Sequence, residues 1–227
     1  MLPEQAKLHV RRGAGFCVGA YLMGLGIALT TNSNLGTTPI SSLPYVCSII
    51  TPFSLGELTF AINFLMIVGQ KVLLGPKFGK KGLLQLPALL VFSMFIDCNM
   101  WLTRAFVTDI YALQMLQCVV GSFVLGVGIS LCVVSNATVM PGEGIVLAIT
   151  HVLRGNFGRI KVIFDCSLVA LAAVVSLVAI HGIVGLREGT VVSAILTGHF
   201  VRLLSRWTVR LKSVFAAPVA AERRNVK

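Results

Sequence analysis

Acidic residues are scarce in this chain. Eight Asp and Glu stand against nineteen Lys and Arg, and only 12% of residues are charged. A soluble domain carries roughly twice that share. With 56% hydrophobic residues and a mean hydropathy of +0.90, the composition excludes an ordinary soluble fold and points to the membrane class. Enzyme signatures are missing too: there is no HExxH, GxSxG, Walker A or dinucleotide-binding pattern. The chain therefore reads as a non-enzyme without a cofactor. Its six cysteines include no CxxC pair, and no His sits at ligand spacing from one, so neither a disulfide nor a metal site is expected. The net charge of +11 does not indicate nucleic acid, because the basic residues flank apolar runs instead of forming an aromatic-studded patch. The apolar run after Lys7, Arg11 and Arg12 is too long for a signal peptide and others follow it, so it reads as a first membrane span.

What is present is a repeated interruption. Ser33-Asn34-Leu35-Gly36-Thr37-Thr38-Pro39 follows the first apolar run, and Ser135-Asn136-Ala137-Thr138-Val139-Met140-Pro141 returns 102 residues later. The same offset holds without a gap from Val18 to Arg104. It pairs Gly19 with Gly121, Gly24 with Gly126, Gly26 with Gly128, Gly56 with Gly158 and Arg104 with Arg206. These identities fall mainly on Gly, Ser, Asn and Pro, which apolar bias alone does not supply. Irregular backbone inside a membrane is tolerated only where protein buries it or where it lines a wet cavity. Paired interruptions in two halves are the best sequence pointer to a binding site in a transporter fold.

The expected architecture is all-α and polytopic: two inverted three-helix repeats, each with a re-entrant or broken half-helix. Residues 1–12 form a cytoplasmic N-terminal segment, 13–106 the first repeat, 107–206 the second and 207–227 a basic cytoplasmic tail. Spans are expected at about 13–31, 57–74, 83–103, 111–134, 162–180 and 189–204. Residues 39–51 and 141–153 are too short for the ~20 residues a crossing needs, and read as half-helices. Gly15 and Gly19 form a GxxxG pair suited to close helix packing. Six spans place Lys7, Arg11, Arg12, Lys77, Lys80, Lys81, Arg154, Arg159, Lys161 and the tail on the cytoplasmic side, leaving Arg104 and Arg187 outside. Eight spans, with 39–51 and 141–153 crossing, would turn the Lys77–Lys81 cluster outward. Trp101, Tyr111 and Trp207 read as an interfacial aromatic belt.

The carriers Gly24, Gly26, Asn34, Gly36, Thr37, Thr38, Pro39 and Gly56, with the second copy Gly126, Gly128, Asn136, Pro141 and Gly158, give the chain a resemblance to the bacterial YczE/YyaS/YitT-type integral membrane proteins. It covers roughly residues 14–206. The resemblance implies a multi-pass inner-membrane protein without an assigned substrate. Thr138-Val139-Met140 departs from Gly36-Thr37-Thr38, so the two halves are not expected to work identically.

Candidate solute-binding residues are the hydroxyls and amides of the turns, Asn34, Thr37, Thr38, Ser41 and Asn136, with Glu143 opening the second half-helix. To these are added the polar residues inside spans: Asn63, Asp97, Asp165 and His199. A charged Asp near a helix centre costs roughly 2.5–3.5 kcal/mol on insertion scales, so Asp97 is expected to turn inward, with His199 at its matched position. For Asp165 the competing reading is neutralisation of Arg159 or Lys161, and for Ser/Thr it is helix capping. The function expected is secondary transport of a small anionic or zwitterionic solute. The alternative is a non-transporting accessory or assembly factor. The partners expected are the lipid bilayer and a small-molecule solute. A homo-oligomer stays open.

Overall fold

The computed structural model describes residues 4–215. Within them every regular element is helical. In chain order these are α1 (Glu4–Asn32), α2 (Ser42–Ile50, entered through a 3-10 turn at Pro39–Ser41), α3 (Leu55–Leu74), α4 (Gly79–Leu83), α5 (Gln85–Leu102), α6 (Tyr111–Ser135), α7 (Pro141–Leu153), α8 (Phe157–Ile180) and α9 (Glu188–Phe215). Residues 1–3 and 216–227 lie outside the described residues. So do the side chains of Lys80, Lys81 and Trp207.

Among the described residues, five helices are long and apolar enough to cross a membrane: Gln5–Asn32, Leu55–Phe78, Gln85–Phe106, Tyr111–Ser135 and Phe157–Ile180. The sixth expected span, 189–204, falls on α9, which does not meet that measure. His199, Arg202 and Arg206 interrupt its apolar run, and the helix continues without a break to Phe215. The sequence limits were also short at two starts. α1 begins at Glu4 and α8 at Phe157, because Lys7, Arg11, Arg12, Arg159 and Lys161 extend helices rather than loops. Trp101 and Tyr111 are exposed near the α5–α6 connection.

The two short segments are separate helices. Pro39 and Pro141 sit in the first helical turn, where a missing N–H costs nothing. α7 has 13 residues, about 20 Å at 1.5 Å per residue, against a ~30 Å hydrocarbon core. It begins where Gly144 packs on Gln70 and runs alongside the end of α3 until His151 meets Lys77. The starts of the two short helices touch, with Ile40 seated on Gly142.

The largest helix contact is α1 against α6. The helices are antiparallel: Phe16 lies by Cys132 and Thr30 by Gly121. Four glycines let the backbones touch. A Cβ added at Gly19 would stand 2.9 Å from the Gly128 carbonyl oxygen, and one at Gly128 would stand 2.7 Å from that of Gly19. Gly26 and Gly121 repeat the arrangement, at 2.7 Å and 3.0 Å. Gly19 of the expected GxxxG pair packs in this seam, as does Gly26 seven residues on. α5 covers α1 on one flank and α9 covers α6 on the other, while α2 packs on α8 and α7 on α3. One apolar core fills the α1, α3, α5 and α6 contacts, and a second lies between the short helices and α3 and α8.

Gly26→Ala is therefore expected to destabilise the protein by about 1–3 kcal/mol through overpacking. Gly13→Ala, where nothing lies within 4 Å of the added carbon, is expected to cost nothing. Unfolding midpoints in one detergent check both. Equal midpoints for Gly26→Ala and wild type would show that the close crossing is absent.

Candidate functional site

Both interruptions are built alike. Asn34 and Asn136 adopt the left-handed conformation, with φ of 60° and 49°. Asn accepts this region more readily than most residues. Ser33 Oγ donates to Thr30 O (2.6 Å), and its counterpart Ser135 Oγ donates to Cys132 O (2.7 Å), each closing the last turn of its helix.

Their surroundings differ. The first turn is sealed. The α9 start lies on it: Gly189 N donates to Leu35 O (2.8 Å), Arg187 Nη1 to Asn34 O (3.1 Å) and Ser193 Oγ to Thr37 O (3.4 Å). Gly36, at φ 109°, leaves no room for a side chain against Thr190. The hydroxyls expected to bind solute are spent inside. Thr37 Oγ1 pairs with Thr31 Oγ1 (2.8 Å), Thr38 Oγ1 donates to Ser41 Oγ (3.0 Å) and Ser42 Oγ donates to Thr38 O (3.1 Å). Thr37, Thr38 and Ser41 are buried. In this conformation they stabilise the turn and the α2 start.

The second turn is open. Asn136, Ala137, Thr138 and Val139 line a cleft of about 720 Å³ walled by α1, α3, α5 and the α3–α5 connection. In its wall lies a buried amide pair. Gln70 Nε2 donates to Gln85 Oε1 (3.1 Å), Gln85 Nε2 donates back to Gln70 Oε1 (3.0 Å), and Gln70 Nε2 also donates to Pro141 O (3.2 Å). The pair ties α3 and α5 to the α7 start. Of the ten residues expected from sequence, Asn136 alone is among the cleft-lining residues. Gln70, Gln85, His9 and Arg12 line it without having been singled out. A search for ionisable groups inside spans passes over Gln, and His9 and Arg12 precede the apolar run. The available signal was Gln70 near the end of one span and Gln85 near the start of the next.

The remaining candidates have other partners. Asp97 holds the start of α3. Its Oδ2 accepts from Ser54 Oγ (2.7 Å) and its Oδ1 from Gly56 N (2.8 Å), beside the Ser54–Glu57 capping box. A carboxylate at a helix N-terminus is favoured by the exposed N–H groups and the dipole. At the matched helix start, Asn156 Oδ1 caps α8 locally, accepting from Gly158 N (2.9 Å) and Arg159 N (3.3 Å). His199 thus has no equivalent task. It is exposed, against the expectation that it shares an interior site with Asp97. Asn63 is buried but donates to Thr59 O of its own helix (2.9 Å). Asp165 pairs with Lys161 at 2.7 Å, the neutralising role weighed against function. Glu143 lies in the same neighbourhood, attracted by Lys161 and repelled by Asp165. Asn34 is exposed, its carbonyl held by Arg187. The six cysteines are free thiols.

Long apolar helices packed around two interrupted turns define an all-helical, multi-pass membrane protein. Within that class, the chain belongs to the family of unknown function DUF6198, which matches residues 10–206. No curated protein and no solved structure matches it.

Asp97→Ala removes two acceptors from a helix start and is expected to lower stability by about 1–3 kcal/mol, whereas His199→Ala is expected to leave it unchanged. Thermal unfolding of the purified variants checks this. An unshifted Asp97→Ala midpoint would remove the capping role.

Proposed function

We propose that this chain is a secondary transporter of a small solute, built from two inverted three-helix repeats and seen open on its cytoplasmic side. One observation carries the reading: two turns of the same construction, 102 residues apart, have opposite exposure. The first is clamped beneath the α9 start and the second lines a cleft. Alternating access needs a site at a repeat interface and two non-equivalent gates.

The packing supports the inversion. Under the 102-residue offset the Gly19–Gly128 contact becomes Gly121–Gly26, which is also made. Reciprocal contacts of this kind are those of a two-fold axis. Antiparallel α1 and α6 put that axis across the helices, in the membrane plane. The exchange of α2 onto α8 and α7 onto α3 has the same origin. α9 then serves as the sixth span, its Phe200 packed on Phe123 and Gly126 of α6.

The outer helices support two non-equivalent states. Tyr21 of α1 meets Phe95 of α5 edge-on at 5.5 Å. The matched residue Phe123 of α6 meets Phe200 at 5.3 Å, three positions beyond the counterpart of Phe95. α9 thus sits about one turn, roughly 5 Å, out of register with α5. Basic residues at the cleft mouth, with Lys77 beside His151 across the α3 end, give that face the charge expected of the cytoplasmic side. Both termini then face the cytoplasm, and the resemblance to YczE/YyaS/YitT-type proteins implies that the membrane is a bacterial inner membrane.

Uptake into proteoliposomes, screened over pooled metabolites, tests the proposal. In a cysteine-free background that retains uptake, Thr138→Cys is expected to react with a thiol reagent and lose uptake by at least about tenfold. Thr37→Cys is expected to react only when solute drives turnover. A protein that moves no solute, with Thr138→Cys unreactive from either side, would favour the accessory role instead.

A further inference from the structure

The clamp over the first turn and the amide pair beside the second are related by the repeat. Under the 102-residue offset Arg187 is matched by Gln85. Arg187 Nη1 donates to the Asn34 carbonyl (3.1 Å), whereas Gln85 exchanges two hydrogen bonds with Gln70 (3.1 and 3.0 Å). Of the three donors on the first turn, this is the one whose matched position still carries a donor, since Gly189 and Ser193 correspond to Pro87 and Val91. The counterpart of Gln70 is Ala172, a buried side chain with no group to hold Arg187. The glutamine partner therefore belongs to the first half alone.

The start of α5 is built for a second position. Its N-cap is Leu84, which has no polar side chain, whereas α3 begins with a full capping box. The connection into α5 turns at Gly75 and Gly79, with φ of 53° and 58°, where an added Cβ would meet nothing within 4 Å. Gln70 is tied a second way, through Pro141 O (3.2 Å), to the α7 start. Gln85 and Asn136 line the same cleft. Gln85 is buried, and a buried amide that leaves its partner needs another acceptor, because leaving it unpaired is costly. The Asn136 carbonyl is the acceptor that the repeat supplies.

We propose that Gln85 is a two-position gate residue, bonded to Gln70 while the second turn is open and to the Asn136 carbonyl when α5 closes on that turn. Gln70, held by α3 and Pro141, is the latch of the open state. This deepens the alternating-gate reading and rests on it, naming the residues that set the resting position.

Labelling with a water-soluble maleimide tests it, in cysteine-free full-length protein carrying Thr37→Cys, in nanodiscs without added solute. Gln70→Leu removes the latch and keeps the Gln85 amide. The labelling rate is expected to rise about tenfold, the effect of one or two neutral hydrogen bonds on the balance of states. Gln85→Leu removes latch and clamp together, and its rate is expected to stay within about threefold of the parent. A merely structural pair would give both leucine variants the same rate, because each breaks the same two bonds. Gln85→Arg, which supplies the side chain of the first-turn clamp, is expected to raise the rate about tenfold with Gln70 in place. It keeps the proposal testable if Gln70→Leu does not fold. Equal rates in the two leucine variants, or a Gln85→Arg rate no faster than the parent, would overturn it. Faster labelling in Gln70→Leu and Gln85→Arg, with no solute taken up by the wild type, would leave the switch and retire transport. Uptake by the wild type with unchanged labelling in both would retire the switch and leave transport.

Discussion

Close backbone contact between α1 and α6 is the constraint on which the other packing depends. In lipid, helices gain little from excluding apolar surface, and association relies on packing and interhelical polar contacts. Gly19, Gly26, Gly121 and Gly128 let two antiparallel backbones meet without intervening side chains. Cys132 Sγ, a small thiol that donates to Phe16 O across 3.7 Å, fits the same seam. Because α1 and α6 are held this closely, the turns that end them are fixed in relation to each other. The short helices that follow must then start deep within the bundle, where Ile40 meets Gly142.

From that seam outward, the fold satisfies buried backbone groups with local side chains. Ser33 and Ser135 close the ends of α1 and α6, and left-handed Asn34 and Asn136 turn the chain. What differs is how each turn is covered. Arg187, Gly189 and Ser193 bring three donors to the first turn. At the matched positions stand Gln85, Pro87 and Val91. Pro87 has no N–H and Val91 no hydroxyl, so the second turn cannot be closed by the same hydrogen bonds. Gln85 instead binds Gln70, and a cleft remains. On the proposed reading this difference biases the resting protein toward one access state.

The sequence carried the helical class, five of the six expected apolar spans and both short helices, because long apolar runs and turn formers are local signals. It carried the turns as well: Ser-Asn…Pro at a fixed offset marked both. It misplaced the chemistry around them for tertiary reasons. Asp97 has the composition of an intramembrane functional acid, yet Ser54 and Gly56 arrive from 43 and 41 residues away to use both its oxygens. Thr37 and Thr38 look like ligands until their hydroxyl contacts with Thr31 and Ser41 are seen. The cleft is formed by segments far apart in the chain, from His9 to Val139. Nothing in the local pattern around Gln70 or Gln85 announces that the two amides face each other.

The central claim is that the two turns are gates of one mechanism, closed in alternation. Spin labels in a cysteine-free protein, one pair reporting the distance between the α9 start and residue 34 and another between the α5 start and residue 136, measure it directly by pulsed dipolar spectroscopy. The account predicts that, in the membrane, the two distances change in opposite senses as a transported solute is added, one shortening as the other lengthens by several ångströms. Two distances that stay fixed with and without solute, or that lengthen together, would contradict it.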